Sequence, residues 1–101
     1  MLEPSSTIDE SNSVMPNKHI RITSHARFEM TRRRIRLSLV LATIRNPGQV
    51  LPSRKGRLIY QSKIGRLGQL LLRVVVKKEK DIYHVITAYK STRVAKYWKQ
   101  L

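Results

Sequence analysis

The run LLLRVVV at residues 70–76 constrains this chain more than any other feature. It is rich in β-branched and large apolar residues, and it is short, which favours a strand over a helix. Side chains alternate across a strand. Leu70, Leu72, Val74 and Val76 therefore share one side, and Leu71, Arg73, Val75 and Lys77 share the other. Apolar residues fall on both sides, as in the central strand of a sheet, here spanning residues 69–78. Arg73 interrupts that strand. A buried guanidinium must be paired or aimed at an anion, so Arg73 is the first candidate for a phosphate clamp. An ion pair with Glu29 or Asp81 is the competing expectation.

The flanking sequence builds a sheet around this strand. Residues 18–23 (KHIRIT) alternate, with Ile20 and Ile22 on one side, as a short strand or an extended lead-in. Ser24 is placed to cap a helix at about residues 25–33. A second helix runs over residues 37–45, with Leu37, Val40, Leu41 and Ile44 on one face. Asn46-Pro47-Gly48 ends it, because proline cannot continue the hydrogen-bond ladder. Val50-Leu51 forms a short strand before Pro52. Strands over residues 57–63 and 82–89 follow, with turns at 53–56 (SRKG), 65–68 (GRLG) and Lys80-Asp81. Ser91 then caps a closing helix from Thr92 to about Gln100. The expected class is α+β: two N-terminal helices, a three- to four-stranded antiparallel sheet and a C-terminal helix. On the last strand, parity sets Ile82, His84, Ile86 and Ala88 against Tyr83, Val85, Thr87 and Tyr89. The Arg73 side and the Thr87–Tyr89 side then form one open, polar face.

Charge decides which partners are plausible. Residues 1–17 hold three acidic and no basic residues and read as a disordered acidic arm, with Met15 a possible second start. Residues 18–101 hold all 21 Lys and Arg against Glu29, Glu79 and Asp81, a net +18. A compact domain with that excess repels itself unless something polyanionic binds it. Nucleic acid, an acidic protein and an anionic membrane surface all fit on charge alone. The absence of cysteine rules out disulfides, thiolate metal sites and a cysteine nucleophile, and suits the cytoplasm. No apolar run is long enough to span a membrane, and the N-terminus lacks a secretory signal.

Several motifs carry a resemblance. H-A-x-x-x-M-x-x-R-x-I fits His25, Ala26, Met30, Arg33 and Ile35. N-P-x-x-V fits Asn46, Pro47 and Val50. LLRVVV and VITAYKS follow at residues 71–76 and 85–91. Together, over about residues 20–98, these resemble a family of small bacterial and phage-derived domains of uncharacterised function, which is itself similar to the BrnT and RelE ribonuclease toxins. The resemblance implies a RelE-like single domain over residues 18–101 that presents a basic sheet face to RNA, ribosome-bound mRNA included, and is held in check by an acidic antitoxin. Two positions depart from the family pattern. Glu29 stands where the family usually has Arg, and Arg34 where it usually has Gly. An acidic residue in the first helix either pairs with a neighbouring arginine or alters the site.

The chemistry implied needs neither metal nor cofactor. RNA can be cut by its own 2′-hydroxyl if the protein takes that proton, offsets charge on the phosphate and protonates the leaving oxygen. His25 is a candidate acid or base because imidazole titrates near neutrality; a helix-start histidine bonded to backbone is the alternative. Arg73, Tyr89 and Lys90 complete the candidate catalytic set. Arg32, Arg33, Arg34, Arg54 and Lys55 are candidates for steering phosphates, or form a solvated cationic face. Ser91 and Arg93 sit where a helix N-terminus would favour a phosphate. His84 reads as a core or edge histidine, His19 as solvated, and Tyr97 and Trp98 as packing residues. No spacing of carboxylates or histidines suggests a metal site. A non-catalytic nucleic-acid-binding module and a degenerate toxin that only binds a protein partner are the competing functions.

Overall fold

A computed structural model describes residues 19–100, so the arm over residues 1–17 lies outside the described residues. In chain order the elements are β1 (His19–Ile22), α1 (Ser24–Arg32), α2 (Leu37–Arg45), β2 (Gln49–Pro52), a 3-10 turn (Arg54–Gly56), β3 (Leu58–Ile64), β4 (Leu70–Glu79), β5 (Ile82–Ser91) and α3 (Val94–Tyr97). They form one five-stranded sheet in the order β1-β5-β4-β3-β2. β4 is the middle strand, as its two-sided apolar pattern requires. The class is α+β.

The sheet is mixed, which corrects the expectation of three or four antiparallel strands. β2 to β5 form an antiparallel meander, but β1 pairs parallel to β5, with Ile22 opposite Val85. The lead-in becomes a true strand because β5 leaves an outer edge open and Ile20 and Ile22 pack against the core. Its direction is set by Thr23, whose backbone N–H and Oγ1 both donate to the Val85 carbonyl, at 3.3 and 2.8 Å.

Thr23, not Ser24, caps α1, and its Oγ1 accepts from the Ala26 N–H at 3.1 Å. The motif expected to carry function largely builds this helix. Ala26 is wholly buried, and Met30 and Ile35 sit in the core. The Ile35 N–H reaches the Met30 carbonyl at 2.8 Å, and the Arg34 N–H reaches Thr31 at 3.2 Å. That is a Schellman ending with its apolar clasp. Arg34 occupies the left-handed position, φ 56°, which glycine fills more easily. α2 spans the residues expected of it and buries Val40 and Ile44.

The helices cover one face of the sheet. Leu72, Val74 and Val76 of β4 meet Tyr60 of β3 and Val85 and Ala88 of β5 there. Each leucine or valine among them contributes roughly 1.5–3 kcal/mol by leaving water. Strand parity fails once. A bulge shifts the β4–β5 register between Val75 and Val76, so that Thr87 opposes Val75 but Val85 opposes Val76. One extra residue on β5 flips everything before it. Val85 therefore packs in the core and Tyr83 lies against it, whereas parity had grouped both with Thr87 and Tyr89.

The chain end differs most from expectation. Ser91 belongs to β5, and its Oγ accepts from the Arg93 N–H at 3.0 Å rather than capping a helix. α3 is a single turn with no side-chain cap. It stops because the next residues find better partners. The Gln49 side chain donates to the Lys99 carbonyl at 2.7 Å and accepts from the Lys99 N–H at 3.1 Å. This clasp holds residues 94–99 as a strap over the second sheet face. No helix among the described residues is long and apolar enough to cross a membrane.

Candidate functional site

The second face of the sheet is built around Arg73. In register, Arg73 lies between Gln61 of β3 and Tyr89 of β5, so all three point away from the helices. Arg73 is only 7% exposed. Its Nε donates to Gln61 Oε1 at 2.9 Å, and its Nη1 donates to the Tyr89 hydroxyl at 2.8 Å. Its guanidinium carbon lies 4.0 Å from the centre of the Tyr97 ring, within reach of a cation–π contact. Behind it runs a polar relay. Gln61 is wholly buried, and its Nε2 donates to Gln49 Oε1 at 2.8 Å and to the Tyr97 carbonyl at 3.1 Å. Trp98 closes the same side, with the Lys63 ammonium 4.4 Å from its ring.

Arg73 has no carboxylate partner among the described residues. Glu29 is taken by Arg32 and Arg33, and Glu79 by Lys77 and His84. Asp81 sits beyond the far end of β4, two residues past Glu79 and roughly 20 Å or more from Arg73 at the rise of a strand. Neither competing ion pair forms. A guanidinium has five N–H donors, and the bonds to Gln61 and Tyr89 use two of them. The site is a buried cation held by neutral groups.

The other expected catalytic residues do not join it. Lys90 is exposed and lies opposite Leu72, on the helix side of the sheet. His25 is exposed in the first turn of α1. That helix starts beside Val85, where Thr23 bonds, and ends where Arg33 Nη1 donates to the Ala88 carbonyl at 2.9 Å and to Thr87 Oγ1 at 3.3 Å. The end of α1 that approaches Tyr89 therefore carries Arg33. His25 stands at the opposite end, which corrects the expected pairing of His25 with Tyr89.

Of the basic residues expected to meet phosphate, Arg32 and Arg33 are committed to Glu29, each at 2.6 Å. The hydrogen bond from Arg32 holds the Glu29 carboxyl below its ordinary range. Burial works against that shift, and the charges of Arg32, Arg33 and His25 assist it. Arg34 is exposed in the turn after α1. Arg54 and Lys55 are exposed in the 3-10 turn, which leads into β3 where Leu58 pairs with Val76, the end of the sheet away from Ser91. Arg93 precedes a one-turn helix, too short to offer a helix-end phosphate site. His84 is half-buried on β5, with its Nε2 3.2 Å from Glu79 Oε1.

Sequence reading overlooked Gln49 and Gln61 and gave Tyr97 and Trp98 packing alone. A signal for Gln61 existed. The GRLG turn brings Ile64 opposite Leu70, and three residues back from one and three on from the other stand Gln61 and Arg73.

Fold and site together define a small, strongly basic α+β protein with a buried, uncancelled arginine on the sheet face opposite its helices. Residues 22–90 match the model of a domain of unknown function (DUF4258), and the chain belongs to that family. No curated protein and no solved structure matches it. The match runs from the end of β1 to Lys90 and so includes Gln61, Arg73 and Tyr89, while the strap follows it.

Proposed function

We propose that this protein binds RNA through a phosphodiester at Arg73 and cleaves it without a metal, in the manner of the BrnT and RelE ribonuclease toxins. The observation that carries this reading is the buried Arg73, hydrogen-bonded to the Tyr89 phenol and unpaired with any carboxylate among the described residues. A phosphodiester is the anion most in keeping with the chain's charge. In cleavage, the substrate's 2′-hydroxyl gives its proton to solvent water as its oxygen attacks phosphorus, and the bond to the 5′-oxygen breaks, leaving a 2′,3′-cyclic phosphate and a 5′-hydroxyl. Arg73 offsets the charge on the phosphoryl oxygens. Tyr89, accepting from Arg73, still has its own O–H to donate to the departing 5′-oxygen. An acidic protein partner, acting as antitoxin in the cytoplasm, would cover the same cationic face.

A second reading, RNA binding without cleavage, is favoured by one observation: no imidazole contacts the Arg73–Tyr89 pair among the described residues, so the group that would take the 2′-hydroxyl proton is missing from the cluster.

The test is binding and cleavage of single-stranded RNA, free and on ribosomes, by the wild type, Arg73→Ala and Tyr89→Phe. Arg73→Ala is expected to lose about ten- to a hundredfold in affinity, the worth of a hydrogen bond to a charged group. Tyr89→Phe is expected to bind but to cleave about a hundred- to ten-thousand-fold more slowly. A wild type that binds and never cuts selects the second reading. A wild type that binds no RNA at low salt overturns both.

A further inference from the structure

Gln61 raises a question that its neighbours answer. A wholly buried carboxamide in a strand has two apolar alternatives of similar size, Leu and Met, yet here every polar atom is used. The oxygen accepts from Arg73 Nε, and the nitrogen donates to Gln49 Oε1 and to the Tyr97 carbonyl. Those two acceptors fix which way the amide faces. Turned over, its NH2 would meet the Arg73 N–H and its oxygen would meet two other oxygens. Gln61 thus presents an acceptor, and only an acceptor, to Arg73. A glutamate of the same length could also accept from Nε, but it would cancel the charge. A neutral partner seats the guanidinium and leaves the full positive charge on it.

We propose that Gln61 is the positioning residue of the Arg73 site: it anchors the guanidinium through Nε, keeps its charge uncancelled and turns the Nη edge towards a phosphodiester of single-stranded RNA. This rests on the phosphate reading of Arg73 given above. Gln49 supports it from behind, since its own oxygen is shared between Gln61 Nε2 and the Lys99 N–H. Tyr97 stacks on the guanidinium and limits its tilt.

The experiment measures anisotropy of a fluorescein-labelled single-stranded RNA over a salt series with the wild type, Gln61→Glu, Gln61→Met and Arg73→Ala, alongside thermal midpoints and Trp98 emission. Gln61→Glu is expected to bind about ten- to a hundredfold more weakly. Its slope of log affinity against log salt should fall by about 0.7, one phosphate's share for a single strand. Its midpoint should fall, because the second carboxylate oxygen meets Gln49 Oε1 and the Tyr97 carbonyl where the amide donated, and the ion pair with Arg73 offsets only part of that cost. A structural glutamine would not change the slope. Gln61→Met keeps the volume and removes the acceptor, and should weaken binding about tenfold or more with native Trp98 emission. If Gln61→Glu binds within about twofold of the wild type with an unchanged slope while Arg73→Ala binds poorly, Arg73 holds phosphate without help from Gln61 and the proposal is overturned alone. Should Gln61→Glu fail to fold, Gln61→Met decides, and wild-type affinity there overturns the proposal. If Arg73→Ala binds as well as the wild type, the phosphate reading falls and this proposal falls with it.

Discussion

Glu29 shows how much one acidic side chain organises in a cationic protein. It is buried on α1, accepts from Arg32 and forms an ion pair with Arg33. Arg33, so oriented, reaches with its other nitrogen to the Ala88 carbonyl on β5. The carboxylate thereby fixes a latch between helix and sheet. Because the folded state holds Glu29 below its ordinary pKa of 4.5, its contribution is complete above that value and is lost as pH falls through the lowered one. The thermal midpoint should therefore drop as pH is taken below about 4.5. Glu29→Gln should have a lower midpoint at neutral pH and a shallower acid dependence, followed by circular dichroism. An acid dependence as steep as the wild type's would assign the effect to other carboxylates. At this scale the sequence was partly readable. An arginine inside LLLRVVV stands out at once. Gln61 does not, because a polar residue on a strand is ordinary until its partner across the turn is identified. His25 drew attention for its chemistry, but its place at the helix start is settled by Thr23 and Val85, a contact that spans 62 positions.

Among elements, those shaped by local rules were legible and those shaped by distant contacts were not. α2 has a clean apolar stripe and a proline stop, and it forms over the residues expected. The bulge at Val75 and Val76 leaves no mark in the alternation of β5, so half of that strand was assigned to the wrong face. The closing helix was overextended because its pattern contains nothing to announce Gln49, which captures Lys99 from across the sheet. A helix of one turn is marginal without tertiary help, so the strap depends on its clasp. Gly48 is part of that clasp. A Cβ there would lie 2.7 Å from Trp98 Cη2 and 3.2 Å from the Gln61 carbonyl oxygen. Gly48→Ala should push the indole outward and destabilise the protein by about 1–3 kcal/mol through overpacking. Trp98 is the one tryptophan, so its emission reports the strap directly. A shift to the red with easier quenching is expected, and unchanged emission would mean that the ring adapts in place.

For the whole molecule, class and charge were legible and topology was not. Composition alone showed a strongly cationic body, and the residue order showed helices beside a sheet. The position of β1 could not be read, because four residues of alternating pattern do not say which distant edge will accept them. That edge has a consequence in time. β2 to β5 are joined by short turns, and their pairings close small loops. β1 must wait until both helices and three further strands have been laid down before β5 exists to receive it. Closing so long a loop carries an entropic cost that the meander avoids, and non-local pairings of this kind slow folding. β1 should be the last strand to dock and the first to leave. In native-state hydrogen exchange, its amides should lose protection well before those of β4. Equal protection in the two strands would show that the sheet opens only as a unit. If β1 does detach first, the order of assembly is written into the edge: the meander carrying Gln61, Arg73 and Tyr89 is complete before β1 arrives.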